Sequence, residues 1–204
     1  MQIAAVILAG GRGERLGGVV KATLRLGGVR LIDRVLGRLA GCDSIIVAHG
    51  PHDPTALGLP DTVAGVADLP SGYAGPLAGF AAAVSALPRE VELLVCAAVD
   101  SPFLPADYLQ KLVDGLGAAS VAIAQYAGQP YPTNSVWRVD RVRDLPARVL
   151  AGTAPRSLKA LAAEAGSTTV AWPESPEGDP FANINTPEDL ALAEFRTSGP
   201  ATGF

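Results

Sequence analysis

Lysine is scarce. The chain of 204 residues has three, Lys21, Lys111 and Lys159, and its 16 lysines and arginines together are outnumbered by 20 acids, for a net charge of −4. That balance excludes the broad basic face of a nucleic-acid binder, though not a local cationic pocket. Cysteine is scarcer still. Cys42 and Cys96 are too few for a disulfide framework or a zinc site, and Cys96, inside LLVCAAV, reads as a small buried hydrophobe. Long apolar runs are missing, and nothing approaches the roughly 20 residues of a membrane-spanning helix. The opening apolar run has no basic flank and is too short for a signal peptide, so a cytoplasmic chain with no membrane partner is expected. Aromatics are only 5%, which leaves the packing to Ala, Val and Leu; 49% hydrophobic and 18% charged residues exclude a disordered chain. The length suits one domain, expected over residues 1–196, with a frayed tail, TSGPATGF, over 197–204.

What is present is an alternation. Short apolar runs recur as IAAVIL (3–8), SIIVAH (44–49), ELLVCAAV (92–99), SVAIAQ (120–125) and TTVAW (168–172). Several are continuous rather than alternating, which predicts parallel strands covered on both faces. Helical spacing links Ile32, Val35, Leu36 and Leu39, then Leu109, Leu112, Val113 and Leu116, then Leu158, Leu161, Ala162 and Ala165. NTPEDLALAEF adds a helix with Thr186 as N-cap, Pro187 in its first position, and Glu188 and Asp189 in its first turn. PESPEGDPF (173–181) reads as a loop. Strands alternating with helices predict a doubly wound three-layer α/β/α sandwich with a mostly parallel sheet, and a ligand beyond the carboxyl ends of its strands.

Directly after the first run comes ILAGGRGERLGGVVKATL (7–24), with five glycines (Gly10, Gly11, Gly13, Gly17 and Gly18), two arginines and Lys21. Such a mixture suits a backbone that bends tightly near an anion. A P-loop is excluded, because Val19 and Val20 follow Gly18 where Lys and Ser or Thr are required. A dinucleotide fingerprint is excluded too, since Leu16 stands at the third glycine. A plain structural loop stays open on these residues alone.

LAGGRGERLGGVVK resembles the glycine-rich signature of the molybdenum cofactor guanylyltransferases, a nucleotidyltransferase family. Other blocks carry the likeness to about Phe195: VADLPSGYAGPLAGF (66–80), AVDSPFLP (98–105), YPTNSVWRVDRVRDL (131–145) and FANINTPEDL (181–190). The resemblance implies a Rossmann-like nucleotidyltransferase fold. It also implies GMP transfer from GTP to molybdenum-bearing molybdopterin, giving molybdopterin guanine dinucleotide and pyrophosphate. On this likeness Leu8, Ala9, Gly10 and Gly11 lie under the nucleotide, where a side chain would block its approach. Arg15 and Lys21 neutralise the triphosphate as catalytic cations. His49, Asp68, Gly75 and Gly79 complete the nucleotide pocket, and Asp100 holds Mg²⁺ as metal ligand and catalytic residue. Arg156, Asn183 and Asn185 face the molybdopterin substrate. Implied partners are GTP, the molybdopterin cofactor, and molybdoenzyme apoproteins or insertion chaperones as recipients.

The sequence departs from the family pattern at Val20, often Asp; at His49, often an Asn touching the nucleotide; and at Tyr131, where an H-P-T block begins. Read without the resemblance, several residues have plainer roles. Asp100 would cap a helix starting near Pro105, Asp68 would serve a turn, and Lys21 would be a surface lysine. One of Asn183 and Asn185 would shape a turn, Arg156 would be a solvated arginine opening a helix, and His49 and His52 would be solvent or loop histidines. Two other functions stay open: a related molybdopterin cytidylyltransferase or sugar-phosphate nucleotidyltransferase, and a non-catalytic nucleotide- or cofactor-binding relative.

Overall fold

A computed structural model describes residues 1–198 apart from Arg12, Glu14, Arg15 and Ala74. The chain runs β1 (Gln2–Leu8), β2 (Arg25–Leu26), β3 (Val29–Arg30), α1 (Leu31–Arg38), β4 (Ser44–Ala48), β5 (Val63–Val66), α2 (Pro76–Ala86) and β6 (Val91–Ala98). It continues with α3 (Tyr108–Leu116), β7 (Val121–Tyr126), β8 (Gln129–Arg138), α4 (Leu145–Leu150), α5 (Leu158–Ala165), β9 (Ser167–Trp172) and α6 (Pro187–Ser198). Thr197 and Ser198, expected to fray, are the last two residues of α6. There the Thr197 hydroxyl turns back to the carbonyls of Ala193 and Glu194, the nearer being Glu194 O at 2.8 Å.

The seven-stranded sheet has the order β5-β4-β1-β6-β8-β7-β9. Only β8 runs against the rest, antiparallel to both β6 and β7. Why the strands read as unbroken apolar runs is visible in β1. Ala4 and Val6 face a core built with Leu77, Phe80 and Val84 of α2, Leu145 and Val149 of α4, and Leu158 and Leu161 of α5. Ala5 and Ile7 face the opposite core, with Ile32 and Val35 of α1 and Tyr108, Leu112 and Leu116 of α3. Both faces are covered, so neither set of alternate positions is polar. The three-layer sandwich is the predicted one.

The chain leaves β1 towards β4 and β5 on one side, then crosses back to β6 on the other. The gap between the carboxyl ends of β1, β4 and β6 is therefore a topological switch point, where an open α/β sheet forms its ligand crevice.

Candidate functional site

A cleft of about 960 Å³ opens at this switch point. Leu8 at the end of β1, Ala48 at the end of β4, Ala98 at the end of β6, and Val99 and Asp100 just beyond it form its floor. Lys21 and Asp100 meet there: Lys21 Nζ donates to Asp100 Oδ2 at 2.8 Å and to Asn185 Oδ1 at 2.5 Å. Their side chains are 11% and 18% exposed, so Lys21 is no surface lysine. Asp100 caps no helix either; α3 starts at Tyr108, three residues past Pro105, with Asp107 before it. The carbonyl of Asp100 accepts from Ile184 N–H at 2.9 Å, which ties β6 to the segment carrying Asn183 and Asn185.

The glycines of the loop serve different ends. A Cβ on Gly10 would lie 3.0 Å from Gly50 Cα, and one on Gly50, at φ +62°, 2.6 Å from Gly10 Cα. Gly10 is thus required by the crossing of two backbones, with or without a ligand above it. Gly11 has open space, with Lys21 Cδ 3.9 Å from an added Cβ. Gly10 and Gly11 both line the cleft; Ala9 does not, being buried, with its N–H donating to Ala48 O at 2.8 Å. Arg15 lies outside the described residues.

Asp68 follows β5 and presents its carboxylate to the cleft beside Gly79, where an added Cβ would stand 2.9 Å from Asp68 Oδ1. Its side chain makes no turn hydrogen bond among the described residues. Burial pushes its carboxyl above the usual range, with His49 and His52 pulling the other way. Gly75, at φ +83°, precedes α2, whose N-terminus opens on the cleft. Neither histidine is a plain solvent residue. His49 is buried, with no hydrogen-bond partner for Nδ1 among the described residues, and it stands behind the cleft wall. His52 Nε2 donates to Gly11 O at 3.1 Å and so ties down the glycine loop.

The opposite wall contains residues that sequence reasoning missed. Between β7 and β8 the register jumps from Ile123↔Ser135 to Ala124↔Tyr131, so Pro132, Thr133 and Asn134 form a bulge. It sets Thr133 into the cleft and buries Asn134, whose Oδ1 accepts from Ala98 N–H at 3.4 Å. Asn134 Nδ2 donates to Ser101 Oγ at 3.3 Å, and Ser101 Oγ donates to Asn183 Oδ1 at 2.8 Å. Asn183 therefore reaches the cleft with its carbonyl oxygen already held and its amide NH₂ left to donate. The prolines in a strand were the available signal for this bulge. Tyr131 turns away from the cleft. It packs on Phe181 and bonds Asp179, and burial with that carboxylate pushes its phenol up to about 12.

Arg156 is exposed and opens no helix; α5 begins at Leu158 with Ser157 as its cap. Its guanidinium lies 5.1 Å over the ring of Tyr73, a cleft-lining residue whose hydroxyl donates to Ala154 O at 2.5 Å. The cleft thus gathers Leu8, Gly10, Gly11, Lys21, Asp68, Gly75, Gly79, Asp100 and Asn183, with Arg156 at its rim through Tyr73. Ala9, His49 and Asn185 support it from behind.

The family described as the MobA-like NTP transferase domain matches residues 5–184. The chain belongs to that family. A molybdenum cofactor guanylyltransferase from Rhodobacter capsulatus is 42% identical over 200 residues, 96% of this chain and 97% of its own. Another from Rhodopseudomonas palustris (strain BisB5) is 37% identical, over 93% of this chain and 91% of its own. Among solved structures, molybdopterin-guanine dinucleotide biosynthesis protein A from Archaeoglobus fulgidus has a TM-score of 0.71 at 25% identity, covering 96% of this chain and 98% of that one.

For a MobA-like transferase the donor set matters. No group of three or more His, Cys, Asp or Glu side chains converges among the described residues. Asp100, a single carboxylate in a cleft wide enough for a triphosphate, fits Mg²⁺, which keeps waters and takes further oxygens from phosphates.

Proposed function

We propose that the protein joins the GMP part of GTP to the terminal phosphate of molybdenum-bearing molybdopterin. A phosphate oxygen of the pterin attacks the α-phosphorus of GTP. The bond from that phosphorus to the β-phosphate oxygen breaks, and pyrophosphate leaves with the electron pair. The products are molybdopterin guanine dinucleotide and pyrophosphate, the dinucleotide passing to molybdoenzyme apoproteins or their insertion chaperones.

The observation carrying this reading is the Lys21–Asp100 pair on the floor of the cleft. On it, Lys21 exchanges its carboxylate partner for triphosphate oxygens, and Arg15 adds a second cation. Charge growing on the leaving pyrophosphate is stabilised where water is largely excluded. Asp100 would hold Mg²⁺, which when bound supplies charge neutralisation at the phosphates. Leu8, Gly10 and Gly11 would lie under the nucleoside. Asp68, beside Gly79 in the first turns of α2, offers two oxygens to a base. Guanine presents N1–H and N2–H₂ side by side, a donor pair that adenine and cytosine lack. Arg156 and Asn183 lie on the far side, where the pterin phosphate would enter. Both cysteines are free, and no described helix is long and apolar enough to cross a membrane. We place the reaction in the cytoplasm, where GTP is supplied.

Calorimetric titration with GTP, CTP and ATP, each with Mg²⁺, tests the base assignment. Preference for GTP that is lost in Asp68→Ala is expected. Preference for CTP would contradict guanylyl transfer, and no binding of any of the three would contradict nucleotidyl transfer altogether.

A further inference from the structure

Lys21 rests against the start of α6, an awkward place for a cation. The first N–H groups of a helix carry partial positive charge and lack intrahelical partners. Here Asp189, in the first turn of α6, sets its carboxylate against that positive end and accepts from the N–H groups of the N-cap Thr186 and of Asn185 before it. Asn185 N–H donates to Asp189 Oδ2 at 2.8 Å and Thr186 N–H donates to the same oxygen at 2.9 Å. Asp189 N–H in turn donates to Thr186 Oγ1 at 3.2 Å, closing a reciprocal capping box. The side chain of the same Asn185 accepts from Lys21 Nζ at 2.5 Å. The Asn185 N–H bond, with further help from Thr186 and the Lys21 charge, holds the Asp189 carboxyl below its usual range. Asn185 and Asp189 lie just past the residues matched to the family, 5–184.

We infer that Asp189 is a positioning residue for Lys21, acting through Asn185. It fixes the backbone that carries the Asn185 amide, and it cancels the positive end of α6. With that end neutralised, Lys21 stays at the cleft floor, and the helix end does not itself compete for the phosphates. Asn185 thereby serves the nucleotide half of the site rather than the pterin half. The inference rests on the reading that Lys21 meets the triphosphate.

Titrations of GTP with Mg²⁺, and of guanosine, into four variants test it: Lys21→Ala, Asp189→Ala, the double variant, and Thr186→Ala. Melting temperatures are recorded alongside. Asp189→Ala is expected to weaken GTP about ten-fold, the scale of one lost charged contact, and to leave guanosine unchanged. In the Lys21→Ala background it should cause no further loss, because the effect travels through Lys21. Thr186→Ala should lower the melting temperature through the lost cap yet keep GTP affinity. If Asp189→Ala does not fold, Asp189→Asn takes its place, with the same selective loss of GTP expected.

An equal loss for guanosine, a further loss in the Lys21→Ala background, or a matching loss in Thr186→Ala would reduce Asp189 to a helix cap and overturn the inference. If Lys21→Ala itself weakened GTP no more than guanosine, the triphosphate role of Lys21 would fail first and the inference with it.

Discussion

Lys21 and Asp100 hold each other in a setting that neither charge would choose alone. A largely buried ammonium or carboxylate carries a desolvation cost of several kcal/mol, offset here by contact at 2.8 Å and by Asn185. The pair opens on a cleft, so water reaches a charge left behind by mutation. Asp100→Ala is accordingly expected to cost about 1–2 kcal/mol, less than breaking a fully enclosed pair. The folded fraction should still lose at least about 100-fold in turnover, several kcal/mol of transition-state charge stabilisation having gone. Near-normal turnover in correctly folded Asp100→Ala, measured by pyrophosphate release, would remove Asp100 from the metal role. Lys21→Arg should not restore what Lys21→Ala loses. A planar fork cannot replace a compact ammonium seated between Asp100 Oδ2 and Asn185 Oδ1. GTP binding by Lys21→Arg comparable to that of the unsubstituted protein would show that only the charge matters.

At the scale of elements, α2 shows how strongly the site depends on small residues. Gly79 lets the Asp68 carboxylate lie against the helix; a Cβ would meet Asp68 Oδ1 at 2.9 Å and Ala48 Cβ at 3.0 Å. Gly79→Ala is expected to displace Asp68, weaken GTP, and destabilise by about 1–3 kcal/mol through overpacking. Unchanged GTP affinity in a destabilised variant would separate Asp68 from nucleotide binding. This helix was not legible in the sequence. PLAGFAAAVSA is apolar on every side, because Leu77 through Val84 are buried between the sheet and α4, so no stripe marks its period. Nor was β8 legible, since Pro130 and Pro132 argue against a central strand. The prolines are tolerated because β6 pairs only with Ser135 to Arg138, beyond the bulge. β5 is a short edge strand, VAGV, with too little pattern to read. By contrast β1, β4 and β6 were legible as unbroken apolar runs, because both faces of the sheet are covered, and helices α1, α3 and α5 by the apolar stripe that one-sided burial imposes. Lys21 and Asp100, which a motif names as candidates, were legible to the extent that the structure brings them together at the cleft. Thr133, Asn134, Ser101 and Tyr73 come together only through tertiary packing.

For the whole molecule, the site costs stability. Asp68 has its carboxyl raised on folding, so the folded chain binds that proton more tightly than the unfolded chain does. Its contribution is therefore most favourable at pH below the ordinary carboxylate range, and it is lost as pH rises through the raised value. At neutral pH the charged carboxylate is a net burden. Asp68→Asn should raise the melting temperature at pH 7 and flatten its decline from acid to neutral pH, while weakening GTP. A lower melting temperature at pH 7 would mean that Asp68 is held by favourable contacts, and not kept against its burial for a ligand. The most direct test is to incubate the purified protein with molybdenum-bearing molybdopterin and Mg²⁺, supplying GTP or CTP, and to identify the dinucleotide formed. Molybdopterin guanine dinucleotide with GTP alone, with one pyrophosphate released per product, is the expected result. Cytosine dinucleotide, or no dinucleotide from a folded protein that binds GTP, would contradict it.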